Sequence, residues 1–124
     1  MVFLLRFPTV KSLRGELKRS EIRGGIRYQL TTKEFILQRP EQTYRIDLEH
    51  ILGVTECSEE EIKAPPLRSV RSRVSGTGKP YKIVATLLYS ITPNRVIEQS
   101  RVSFYTRLSP AFARQLSELL MQTG

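Results

Sequence analysis

The chain has 124 residues, 40% of them apolar and 26% charged, with a net charge of +8. That length suits one domain with a core of its own, and no apolar run approaches the roughly 18–20 residues a membrane span requires. A single cysteine (Cys57) and a single histidine (His50) exclude an internal disulfide and the usual structural zinc sets, which need about four ligands.

The charge is unevenly spread. Residues 1–27 hold seven Lys or Arg against Glu16 and Glu21, residues 41–61 hold seven acids against Arg45, and residues 63–82 hold six bases and no acid. Such blocks favour anionic surfaces, either lipid headgroups or nucleic acid. Met1–Leu5 is too short for a signal-peptide core of about 7–15 apolar residues, so the expectation is a cytoplasmic chain able to associate peripherally with a membrane. Glu56, Glu59 and Glu60 beside Cys57 disfavour its thiolate.

In chain order, residues 1–12 read as a leader, with Val2–Phe7 a strand or loose segment ended by Pro8. Leu13–Lys18 is expected as a first strand, because Gly15 would weaken a helix by about 1 kcal/mol relative to Ala. Ser20–Gly25 then reads as a basic loop broken by Gly24-Gly25. Ile26, Tyr28 and Leu30 alternate along one strand face, and Phe35 and Leu37 resume the pattern after Thr31-Thr32-Lys33, or Ile36 if a bulge shifts the register. Tyr44–Leu48 and Ile51–Val54 complete a meander. Residues 58–80 lose all periodicity and read as a long polar loop.

Tyr81–Ile91 is expected as a buried strand with Ile83, Ala85, Leu87 and Tyr89 on one side. Thr92-Pro93-Asn94 turns it into Val96–Tyr105. Ser109 then caps a helix opened by Pro110, whose apolar face is Phe112, Leu116, Leu119 and Leu120. A helix of about 12 residues does not stand alone and must cap the sheet. The expected fold over residues 13–122 is therefore mostly β with one C-terminal helix: a bent antiparallel sheet, or partly open barrel, of the pleckstrin-homology-like kind.

Leu13-Arg14-Gly15-Glu16-Leu17, a basic loop, and then Ile26 through Arg39 resemble the N-terminal region of sphingosine kinases. The likeness continues through Ile46–Gly53, a variable loop, Lys82–Ser90, Ser103-Phe104-Tyr105 and a closing helix, covering roughly residues 13–121. The resemblance implies a non-catalytic, membrane-directing regulatory module in front of a lipid-kinase core. The glycine-rich nucleotide loop and catalytic acid of that core have no match here, and the Trp common in closing helices is replaced by Phe112.

Residue by residue, catalysis finds no footing. Gly76-Thr77-Gly78-Lys79-Pro80 has the wrong spacing for a phosphate loop, and a strand follows it rather than a helix. His50 has no nucleophile placed beside it. Glu59-Glu60-Glu61, three adjacent acids in an extended chain, cannot converge on one cation and read as a solvated loop. No cofactor or metal is expected.

The candidate anion-binding residues are Lys18, Arg19, Arg23 and Arg27 in the first basic stretch, and Arg68, Arg71, Arg73, Lys79 and Lys82 in the second. Near an anionic leaflet each would contribute about 1 kcal/mol, in a salt-sensitive way. Arg27-Tyr28-Gln29 breaks the basic triplet that a tight headgroup pocket uses. Phosphorylation of Ser72 or Ser75 would lower the positive charge of the second stretch. Nucleic acid is disfavoured, since alternation turns Tyr28 inward and the acidic block at 41–61 repels phosphates. Expected partners are thus anionic membrane lipids, a kinase catalytic domain, or, in the rival reading, a peptide held along a sheet edge or helix groove.

Overall fold

A computed structural model of the chain describes residues 14–67, 69–72 and 76–123. In order come β1 (Leu17–Arg23), β2 (Ile26–Thr31), β3 (Glu34–Gln38), β4 (Thr43–Asp47), a 3-10 turn (Leu48–His50) and β5 (Ile51–Glu56). Then follow α1 (Glu59–Lys63), β6 (Ser69–Arg71), β7 (Lys79–Ile91), β8 (Val96–Leu108) and α2 (Pro110–Thr123). The strands form one sheet in the order β1-β2-β3-β4-β7-β8-β6, and β5 joins by pairing with β7. All pairings are antiparallel except β6 with β8. β4 and β5 share one edge of the long β7: Thr43–Arg45 run along Tyr89–Ile91, and Ile51–Glu56 along Tyr81–Ala85.

The domain is thus mostly β, with a C-terminal helix and an unclosed sheet. Side chains bridge the gap that backbone pairing leaves. Arg23 donates to the carbonyls of Thr77 (2.9 Å) and Arg107 (2.8 Å), and its guanidinium lies 4.2 Å from the centre of the Tyr28 ring. Ser109 donates to Glu21 at 2.9 Å, and Arg19 Nε donates to Gln115 Oε1 at 2.9 Å, which ties the helix to β1.

The first strand differs from the sequence expectation. It shares only Leu17 and Lys18 with the expected Leu13–Lys18 strand and runs on to Arg23. Gly15 is left-handed (φ 82°), which turns the chain onto Thr32 instead of extending it. There, Glu16 N donates to Thr32 Oγ1 and Thr32 N to Glu16 O. Ser20–Gly25 is consequently not a loop. Only Gly24 (φ 57°) and Gly25 (φ 80°) turn, with the two positive φ values that a tight hairpin demands. Leu13 and the leader lie outside the described residues.

In β2 the expected alternation holds: Ile26, Tyr28 and Leu30 are buried in the core. β3 is covered on both faces, so Phe35 and Leu37 enter the core while Ile36 is equally buried on the other side, and no bulge is needed. In β7 the inward set changes phase, from Ile83 and Ala85 to Leu88 and Ser90, leaving Leu87 and Tyr89 only half-buried. The change falls where the β7–β8 ladder skips Thr86 and Arg101, and Arg101 has φ 51°. A left-handed residue bends the pair there without altering its register.

α2 closes the open end of the sheet. The Ser109 hydroxyl accepts from Phe112 N at 3.1 Å, the expected cap, and Pro110 needs no partner in the first turn. Phe112, Leu116 and Leu119 are buried. The Phe112 ring packs edge-on against Tyr28 (6.0 Å) and Phe35 (5.6 Å).

Residues 58–80, expected as one polar loop, contain α1 and β6. Ser58 accepts from Glu61 N to start the helix, and Ile62 is fully buried beneath it. Apolar periodicity is absent because only Ile62 and the partly buried Val70 anchor the segment, and ion pairs and hydrogen bonds do the rest.

Candidate functional site

The basic residues singled out from the sequence are distributed over several faces. On β1, Lys18 pairs with Glu16 (3.2 Å), while Arg19 pairs with Glu21 (3.0 Å) and faces α2. Arg23 pairs with Glu21 at 3.3 Å in addition to its seam bonds. Arg27 is half-buried on β2. Arg71 donates to the carbonyls of Ile62 and Lys63, holding the end of α1. Lys79 and Lys82 lie on opposite faces of β7, paired with Glu56 (3.6 Å) and Glu61 (3.7 Å). Arg68, Arg73 and Ser75 lie outside the described residues. Ser72 is buried, donates to Thr106 Oγ1 at 2.7 Å and offers no surface hydroxyl for modification.

The three-glutamate run that read as a solvated loop is instead a clamp. Arg107 reaches Glu59 through two bonds (3.1 and 2.5 Å), and Tyr105 donates its hydroxyl to Glu61 at 2.6 Å. The bond from Arg107 holds the Glu59 carboxyl below its ordinary value. Burial, then the hydrogen bond to Glu61, pushes the Tyr105 hydroxyl up. Burial, then Glu61, likewise raises the Cys57 thiol, which leaves it a poor nucleophile.

A second polar cluster lies at the opposite end of the sheet. Glu34 is fully buried between Arg14 (3.6 Å) and Arg45 (3.5 Å), and Arg14 also pairs with Asp47 at 2.5 Å. Ligand-type atoms of Asp47, Glu49 and His50 lie within 4.8 Å of one another, but the Arg14 guanidinium already occupies the Asp47 side of that group. A cleft of about 630 Å³ opens beside it, lined by Arg14, Thr32, Lys33, Leu48, Glu49 and Gln122 among others.

The most distinctive surface runs between β5 and α2. Among the described residues β5 pairs only with β7, so its second edge carries no strand. The β5–β7 register shifts between Ile51 and Gly53, a bulge at Leu52, whose side chain stands 70% exposed. Beside it an apolar hollow of about 380 Å³ is lined by Leu48, Ile51, Leu52, Gly53, Leu120 and Met121, together with Glu49. Met121 is 82% exposed. A Cβ placed on Gly53 would meet nothing within 4 Å, so the floor there is open. Farther along the same strand and helix a second hollow of about 270 Å³ lies between Val54, Lys79 and Tyr81 on the sheet and Pro110, Ala113, Arg114 and Ser117 on the helix.

Phe112, Ala113, Leu116 and Leu119 of α2 are in the core and Leu120 packs partly against it, while Pro110, Ala113, Arg114, Ser117, Leu120 and Met121 follow the i, i+3, i+4, i+7 rhythm along the groove. Leu120, expected on the core face, thus also lines the groove, and Met121 extends it beyond the expected apolar pattern.

Comparison with protein-family profiles, with curated proteins and with solved structures finds no match for this chain.

Proposed function

We propose that this chain is a pleckstrin-homology-like protein-interaction module that holds an extended peptide segment of a partner between β5 and α2. The observation that carries this reading is the coincidence of an unpartnered strand edge with an apolar hollow, where Leu52 and Met121 stand exposed. A strand added to such an edge gains main-chain hydrogen bonds, and alternate side chains enter the groove. The solvent-facing unpaired edge is otherwise a liability for self-association, which a bound segment removes.

The membrane reading drew on the net charge of +8 and on the two basic stretches. It has weaker support as a function, because Lys18, Arg19, Arg23, Lys79 and Lys82 all have acidic partners within the domain. A regulatory role beside a lipid-kinase core is compatible with a peptide groove, which would then receive a segment of that core.

The test is a random-peptide selection against the full chain, followed by fluorescence anisotropy with the recovered peptide. Gly53→Glu fills the open floor without a backbone penalty, and Leu52→Asp removes the apolar wall. Each is expected to weaken binding at least about tenfold, as hot-spot changes do, with an unchanged melting midpoint. Recovery of no peptide, or equal affinity in both variants, would reject the groove. Saturable, salt-sensitive binding to anionic vesicles would restore the lipid reading to first place.

A further inference from the structure

The groove has two chemically different ends, and their separation specifies a ligand. At one end Leu48, Ile51, Leu52, Leu120 and Met121 form the apolar hollow. At the other, Lys79 and Arg114 flank the smaller one. Glu56 partly offsets Lys79 at 3.6 Å, but Arg114 is exposed and no acid among the described residues lies within ion-pair distance of it. Between the ends, Ala113, Ser117 and Gly53 present small or absent side chains, so a ligand backbone meets no wall.

Distance sets the spacing. Arg114 and Met121 are seven residues apart, two turns of one helix face, and hence about 10 Å apart at 1.5 Å per residue. An extended peptide advances about 3.3 Å per residue and turns only every second side chain to one face, so the same-face spacing nearest that span is four residues, about 13 Å, within reach of the long Arg114 side chain. An acid at that separation would meet Arg114 while an apolar side chain fills the hollow at Met121. The chain's charge of +8 adds long-range attraction for an acidic segment.

Building on the groove reading above, we propose that the preferred occupant is an extended peptide with a bulky apolar residue and a carboxylate four residues from it, the apolar side chain beside Leu52 and Met121 and the carboxylate on Arg114. The carboxylate gains charge-assisted hydrogen bonds from a guanidinium that has no acid to release first. Because Arg114 is exposed, that gain is screened by salt.

Fluorescein-labelled eight-residue peptides with one Leu or Phe, and with Glu two, three, four or six positions to either side, test this against the full chain. The four-residue spacing, in one of the two directions, is expected to bind about five- to tenfold tighter than the same peptide with Lys in place of Glu, and the three-residue spacing, which turns Glu away from the groove, is not. Arg114→Glu should invert that preference, while the melting midpoint stays put because the side chain is solvent-facing. A Glu preference that survives Arg114→Glu, or one indifferent to spacing, overturns the assignment. Peptides that bind without regard to charge but lose affinity in Leu52→Asp would also overturn it, yet leave the groove standing. If no peptide in the set binds, the groove reading falls too.

Discussion

Gly78, just before β7, and Gly53, in β5, differ in what they permit, and the difference is measurable. Gly78 has φ 95°, and a Cβ there would sit 2.7 Å from the carbonyl oxygen of Leu108. Gly53 has ordinary strand geometry and open space around it. Gly78→Ala is therefore expected to destabilise the fold by about 2 kcal/mol, combining left-handed strain with a backbone clash. Gly53→Ala should be neutral or stabilising by up to about 1 kcal/mol, through lower unfolded-state entropy. Urea midpoints at neutral pH decide it. Equal midpoints for the two variants would mean that the tight approach of β7 to the end of β8 is not needed.

At the scale of elements, α1 shows how charge replaces a core. Its single buried apolar residue, Ile62, cannot hold five residues against the sheet, and Glu59 with Arg107, Glu61 with Tyr105 and Lys82, and Arg71 on the carbonyls of Ile62 and Lys63 add further attachments. The Glu59 carboxyl is held below its ordinary value of 4.5 by Arg107. A depressed carboxyl contributes stability that is present above its unfolded value and is lost as pH falls through the folded one. Urea midpoints of the native chain should therefore decline below about pH 4.5, and Glu59→Gln should show a shallower decline in that window. An identical acid profile in both proteins would show that the pair contributes nothing.

This element also marks the limit of what the sequence made legible. Strands with one wet face declared themselves by alternation, as β2 did with Ile26, Tyr28 and Leu30, and α2 by its cap and its Phe112–Leu119 stripe. α1 and β6 did not, because the Arg107–Glu59 ion pair and the bonds from Arg71 to the carbonyls of Ile62 and Lys63 leave no local apolar period. β1 was misplaced for a related reason: its inward residues are Arg19, Glu21 and Arg23, so its buried side looks polar. The groove was hidden at a further level. Each of its walls is unremarkable alone, and only the pairing of β5 with β7 leaves an edge facing the groove-lining residues of α2.

For the molecule as a whole, the open sheet depends on a few side chains at its seam. Arg23 joins β1, at one end of the strand order, to β8 and to the segment before β7, bonding the carbonyls of Arg107 and Thr77 and stacking on Tyr28. Arg23→Met keeps most of the packing and removes the donors, so it should cost about 2–3 kcal/mol in urea denaturation, the range for hydrogen bonds from a charged group. A loss below about 0.5 kcal/mol would assign the closure to α2 alone. Closure matters for function because the seam fixes α2, and α2 is one wall of the groove.

The measurement that bears most directly on the groove is an amide chemical-shift titration of the full chain with the selected peptide. Perturbations are expected to concentrate on Ile51–Val54 of β5 and on Ala113, Arg114, Ser117, Leu120 and Met121 of α2. Perturbations centred instead on residues 18–27 or 69–72, with β5 and α2 unchanged, would contradict it.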